Sequence, residues 1–256
     1  MFYKIKSVLR PVRQLFPESV QTFFYRMLVR LFQPKLMPAL DDYTYTDEHL
    51  KFVHILEALN YLRVAGAGGG LPQTYFEFGC HSGRTFSVAV RAAKFLGMSN
   101  AEFYAFDSFE GLPETNPEVD GYFKTGTFCT GRTDFVRIVE KKTGLRLDDN
   151  HIVQGYYCDS LTPEIQARLP KAGVVHIDVD LYSSTVDVLE FIKPLLVVGA
   201  ILIFDDWYCF PPGANMGELR AVKEFCEANP SFKLQEWKAY STFGQSFFVT
   251  SLAQKS

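Results

Sequence analysis

The sequence predicts a doubly wound α/β protein: a mostly parallel seven-stranded sheet with helices on both faces, closed by a C-terminal antiparallel hairpin and preceded by a helical N-terminal appendage. Three observations predict it. Short runs rich in Phe, Val and Ile alternate with amphipathic segments of helical length, the pattern of βαβ units. The first run leads through a turn bearing two glycines directly into a helix. Each of the first five runs ends in or beside an acid, at the sheet edge where ligands of such folds gather.

At 256 residues, 47% apolar and 21% charged, with a net charge of −3, the chain can bury one large core. It lies outside the disordered, collagen-like and acidic-tail classes. Its 24 Phe and 13 Tyr exceed what filling that core requires, so some rings are expected to line a cleft. The cysteines, Cys80, Cys129, Cys158, Cys209 and Cys226, are odd in number and share no C-x-x-C spacing, which argues against a disulfide framework or structural zinc. A cytoplasmic protein is the simplest reading.

Residues 1–40 carry Lys4, Lys6, Arg10, Arg13, Arg26, Arg30 and Lys35 against Glu18 alone, a net +6 that leaves −9 on the rest. Charges interrupt their apolar residues too often for a membrane span or signal peptide. The favoured reading of residues 1–45 is a basic arm packing on a neighbouring subunit, as in a homo-oligomer, or over an active site; lying on anionic lipid is the alternative. Residues 46–256 form the main domain. From Thr46 an amphipathic helix sets Phe52, Ile55, Leu56, Leu59 and Leu62 at helical spacing, with Asp47 and Glu48 in its first turn. A glycine run at 66–70 ends it and is expected to form a mobile joint.

Then follow a strand at 74–79, a helix at 84–97 closed by Gly97, a strand at 101–107, a long loop, a helix at 133–144 and a strand at 151–157. A helix at 162–169, a strand at 174–180, a helix at 183–196 and a strand at 200–206 continue the alternation. After a helix at 217–229, two extended segments at 232–240 and 246–252 meet around Gly244 as a hairpin.

The turn FEFGCHSGRTF offers Gly79 and Gly83 for a close backbone approach and helix N-terminal amides for an anion, with Glu77 one step before. A dinucleotide turn carries three glycines. Two glycines and a carboxylate suit a ligand bearing both a carboxylate and an ammonium, the methionine end of S-adenosylmethionine. Asp107, ending the second strand, is placed to accept from two ribose hydroxyls, with a turn cap as the alternative. Ser82 and Ser108 join this cofactor set. Asp159 either meets an adenine amino group or caps the helix near Pro163.

Asp178 ends one strand, and Asp205 with Asp206 ends the next. Adjacent parallel strands lie about 4.8 Å apart, so three carboxylates can converge on one hard cation, Mg2+ or Mn2+. Asp178 is the first choice of base and Asp180 the second. His176, inside an apolar strand, reads as a core histidine, and His81 as a surface residue or cofactor neighbour. Trp207, Tyr208 and Phe210 form either a substrate wall or ordinary packing.

The segments FEFGCHSGRTF, AFDSFEGLPE, GYYCDSL, HIDVDLYSSTVDVLE and ILIFDDW together resemble the macrocin O-methyltransferase (TylF) family, over about residues 45–250. That resemblance implies the Rossmann-like class I methyltransferase fold, S-adenosylmethionine as methyl donor, and methylation of sugar hydroxyls on natural products with a divalent metal. It implies cofactor contacts at Glu77, Gly79 and Gly83, a ribose contact at Asp107, and metal ligands at Asp178, Asp205 and Asp206. The expected substrate is a hydroxylated small molecule. Nucleic acid is disfavoured because the main domain is acidic and lacks a basic stripe. A nicotinamide-dependent oxidoreductase and a non-catalytic cofactor-binding scaffold are the competing readings.

Overall fold

A computed structural model describes residues 43–66 and 70–252; the basic arm and the centre of the glycine run lie outside the described residues. The chain divides into compact units Met1–Thr46 and Asp47–Ser256, and the second is described below. Its sheet has the order β3-β2-β1-β4-β5-β7-β6. The strands are β1 (Thr74–Phe78), β2 (Glu102–Asp107), β3 (Ile152–Gln154), β4 (Ala172–Ile177), β5 (Leu196–Phe204), β6 (Lys233–Tyr240) and β7 (Gly244–Ser251). Strands β1 to β5 pair in parallel; β7 lies antiparallel between β5 and β6. Strand order reverses between β1 and β4, where a crevice opens beyond the carboxyl tips.

Every residue of β1 and β4 is buried, as strands covered on both faces must be. Alternation sends Phe76 and Phe78 to one face, where Val175, Ile177, Leu202 and Phe204 meet α7 (Tyr182–Ile192) and α8 (Gly217–Ala228). On the other face Tyr75, Val174, Ile201 and Ile203 pack with α1 (Tyr43–Ala65), α2 (Arg84–Leu96) and α4 (Arg132–Thr143). Ile55, Ala58, Leu59 and Leu62 seat α1 there. Three short helices, α3 (Pro117–Asp120), α5 (Tyr157–Ser160) and α6 (Pro163–Arg168), sit in connections.

Several boundaries depart from the sequence reading, among them the helix expected over 183–196, which stops at Ile192, and the strand expected over 200–206, which runs Leu196–Phe204. Helix α1 begins at Tyr43, so Asp47 and Glu48 fall in its second turn; no breaker stands between Tyr43 and Thr46 to stop it sooner. The third strand ends at Gln154, because Gly155 turns at φ +131 and Tyr157 opens α5. Strand β4 stops at Ile177, short of the expected 180. Among the described residues no helix is long and apolar enough to cross a membrane.

Candidate active site

Backbone hydrogen bonds run one residue past the strands. The Gly79 amide donates to the Phe106 carbonyl (2.9 Å), Asp178 to Phe78 (2.9 Å), Asp205 to Ile177 (3.0 Å) and Gly155 to Asp107 (3.0 Å). The ladder thus sets the tips of five strands side by side. A cleft of about 370 Å³ lies across them, lined by Gly79, His81, Asp107 and Ser108 at one end and Asp178, Asp180, Asp205 and Asp206 at the other. Tyr156 and Tyr157 reach it from beyond β3, Lys51 from α1 and Phe243 from the β6–β7 turn, while Leu112, Tyr122, Phe123 and Phe128 line it from the long loop.

At the first end, Gly79 has φ +83, and a Cβ there would lie 1.7 Å from the Asp178 carbonyl oxygen. Gly83 serves a different need from the expected ligand approach: its Cβ would strike Val139 and Phe135 at 2.7 and 3.0 Å, so it lets α2 pack on α4. Asp107 ties the turn together. Its Oδ2 accepts from the Cys80 and His81 amides (2.7 and 2.8 Å) and its Oδ1 from Phe109 (2.6 Å), leaving the carboxylate on the cleft wall. Ser108 Oγ donates to the Gly111 carbonyl (2.8 Å).

Besides Gly83, three members of the expected cofactor set lie outside the cleft lining. Glu77 is fully buried beneath the turn, on the face opposite Phe76 and Phe78, and its Oε2 accepts from the Tyr75 hydroxyl (2.6 Å). Burial pushes its carboxyl up to about 8. Ser82 is half-buried and outside the cleft lining, and Asp159 is exposed on α5. What β3 sends to the cleft is Gly155, Tyr156 and Tyr157 instead.

At the other end, Asp178, Asp180 and Asp206 bring carboxylate oxygens within 4.8 Å of one another. Asp180 enters this trio because its φ of +60 turns the chain sharply after β4. Asp205 stands beside it with different partners: Oδ2 accepts from Lys51 Nζ (2.6 Å) and Oδ1 from the Tyr240 hydroxyl (2.8 Å). Burial and mutual repulsion hold Asp178 and Asp206 well above the carboxylate range and Asp180 at about 8. For Asp205, burial is outweighed by Lys51 and His176, and its carboxyl is lowered. Below the trio, Glu218 Oε2 accepts from the Asp206 amide (3.0 Å); Glu218 Oε1 and Asp206 Oδ2 have no hydrogen-bond partner among the described residues.

His176 is a fully buried core histidine, held near 4 by desolvation. His81 is exposed, lines the cleft and meets Thr130 Oγ1 at 2.9 Å. Trp207 packs on Phe204 and Phe247, and Phe210 on Phe123, so both serve packing while Tyr122, Phe123, Phe128 and Phe243 supply the wall. Sequence reasoning missed those four rings and also Lys51 and Glu218. A chemical signal existed only for Glu218, an acid in the first turn of a helix following the Asp pair.

A sequence model of the macrocin-O-methyltransferase (TylF) family matches residues 57–230. The chain is 30% identical over 160 residues to the 8-demethyl-8-(2,3-dimethoxy-alpha-L-rhamnosyl)-tetracenomycin-C 4'-O-methyltransferase of Streptomyces olivaceus, spanning 59% of each protein. It is 31% identical over 114 residues to the demethyldecarbamoylnovobiocin O-methyltransferase of Streptomyces niveus, spanning 41% of this chain and 42% of that one. The chain thus matches less than two thirds of the length of either relative. The calicheamicin methyltransferase CalS11 superposes with a TM-score of 0.61 at 18% identity, over 91% of this chain and 94% of that one. The O-methyltransferase NovP gives 0.59 at 20%, over 78% and 79%. At those identities the likeness is one of fold, the Rossmann-like methyltransferase sheet. With a family match extending from the second half of α1 through α8 and across the tips of β1 to β5, the chain belongs to the macrocin O-methyltransferase (TylF) family.

Proposed function

We propose that the protein transfers a methyl group from S-adenosylmethionine to a hydroxyl of a sugar or another polyhydroxylated small molecule. The observation that carries this reading is the pairing of two ends in one cleft: a glycine turn with Asp107 at the tips of β1 and β2, and a carboxylate trio at the tips of β4 and β5. The volume suits a ligand of the donor's size. Family membership and the names of the two relatives favour methyl transfer over the oxidoreductase and scaffold readings.

The residues fit a divalent cation, Mg2+ or Mn2+. Three convergent carboxylates whose charges repel, one with a buried oxygen lacking a donor, form an oxygen donor set suited to a hard ion. Asp178, Asp180 and Asp206 would hold it, with Asp205 adjacent. Bound there, such an ion would supply positive charge that favours ionisation of an alcohol. The chain's own work is positional. Asp107 and the Gly79 turn seat the donor, and Tyr122, Phe123, Phe128 and Phe243 wall the cleft beside it. Asp178, or Asp180 in its place, receives the hydroxyl proton. Bound at the Gly79 turn, S-adenosylmethionine would supply the methyl group as the electrophile and would keep the electron pair of its carbon–sulfur bond on sulfur, as a thioether.

The test is mass spectrometry of purified protein incubated with S-adenosylmethionine, Mg2+ and a pool of glycosides from cell extract. A product heavier by one methylene, formed with S-adenosylhomocysteine and lost in EDTA, is expected. Tight donor binding without turnover across the pool would instead favour the scaffold reading.

A further inference from the structure

Helix α1 reaches the acid end of the cleft through two residues one turn apart. Lys51 Nζ lies 2.6 Å from Asp205 Oδ2, with both side chains less than 15% exposed. His54, three residues on, stacks on the ring of Tyr240, centroids 4.3 Å apart and planes 7° from parallel. Tyr240 in turn donates to the other oxygen of Asp205 (2.8 Å). Both contacts from one helix face therefore converge on a single carboxylate, and Ile55, Ala58, Leu59 and Leu62 anchor the helix behind them. Lys51 also lines the cleft beside Asp178, Asp180 and Asp206.

We infer that Lys51 is the resident counter-charge of the acid cluster, a positioning residue that holds Asp205 against α1 and sets how tightly the neighbouring carboxylates take a divalent ion. This rests on the cation reading proposed above. An ammonium fixed on one carboxylate of such a group weakens the group's pull on a second cation and competes for the oxygen it holds. It also gives α1 a chemical role at the site, since Lys51 precedes the segment matched by the family model.

The experiment measures Mn2+ binding by titration calorimetry, without donor or acceptor, on the full chain and on Lys51→Met, Lys51→Arg and Tyr240→Phe. Lys51→Met is expected to bind Mn2+ about tenfold tighter, an ordinary coupling between two sites. Lys51→Arg, which keeps the charge, should stay near wild type, and Tyr240→Phe, which removes a hydrogen bond without changing charge, should move affinity far less than Lys51→Met. A purely structural role for Lys51 predicts the reverse, weaker binding in Lys51→Met as the site loosens. Unchanged or weaker binding in Lys51→Met, with wild type binding normally, overturns the role of Lys51 alone. No binding in any of the four proteins overturns that role and the cation reading together.

Discussion

At Gly79 a methyl group has nowhere to go. A Cβ would sit 1.7 Å from a backbone carbonyl of the next strand, and φ of +83 is strained for any L side chain. Gly97, the cap of α2, shares the left-handed conformation at φ +72, but nothing lies within 4 Å of its would-be Cβ. Gly97→Ala should cost about 1 kcal/mol, the conformational term alone, whereas Gly79→Ala adds a backbone collision and should cost about 3 kcal/mol or more. Urea denaturation of the two variants reads the difference directly. Glu77, two residues before Gly79, makes stability depend on pH. Its carboxyl lies at about 8 in the fold against an ordinary 4.5, chiefly because burial strips water from the charged form. Between those values the folded chain keeps a proton that the unfolded chain has released, so stability falls as pH rises through the window and levels off above it. Asp178, Asp180, Asp206 and Glu218, also raised by burial, slope the same way, and Asp205, lowered by Lys51 and His176, slopes the other way, so the informative quantity is the difference from Glu77→Gln. That variant should show a flatter decline and be the more stable protein at alkaline pH, as measured by denaturant midpoints across the range.

Residues 108–131 cover the cleft as an element with a small core of its own: Leu112 and Phe123 against Leu181, with Cys209 and Phe210 packed alongside. Asp120 fastens it. Only 2% exposed, it accepts from the Asn116 amide within the segment (2.8 Å) and from the Tyr182 amide at the start of α7 (2.9 Å). Asp120→Ala leaves both amides without this acceptor, the Tyr182 amide half-buried and the Asn116 amide nearer solvent, a loss of about 1–3 kcal/mol confined to this attachment. The expected signature is faster tryptic cleavage at exposed Lys124 and a raised KM for the acceptor, with the sheet's unfolding nearly unchanged. Equal cleavage rates in variant and wild type would show that the cover is held by its apolar contacts instead. The sequence did not announce this element. Tyr122, Phe123 and Phe128 follow neither a 3.6- nor a 2-residue period, and the partner of Asp120 is 62 residues away. The strands, by contrast, were legible because burial on both faces leaves continuous apolar runs. The acids at their tips could be counted, but not aimed: whether Asp180 or Asp205 joins Asp178 and Asp206 depends on one left-handed residue and on a lysine 154 positions away.

Across the whole molecule, the reversal of strand order between β1 and β4 separates two chemistries by one strand spacing. Tips on one side carry the turn and the acid assigned to the donor; tips on the other carry the carboxylates assigned to the cation. Because the backbone ladder joins Phe78 to Asp178 at 2.9 Å, both halves stand on one rigid edge, yet their side chains share no hydrogen bond among those described. The two functions should therefore come apart by mutation. Asp206→Asn removes an ionisable oxygen donor from the trio and should abolish Mn2+ binding and turnover while leaving affinity for S-adenosylmethionine largely intact. Asp107→Ala should weaken donor binding by roughly 1–3 kcal/mol, the scale of hydrogen bonds to a charged acceptor, and leave Mn2+ affinity as it was. Calorimetry of each variant with each ligand gives the four constants needed. If either substitution damages both affinities alike, the cleft is one coupled site rather than two adjoining ones, and the division of roles between β1–β2 and β4–β5 is lost.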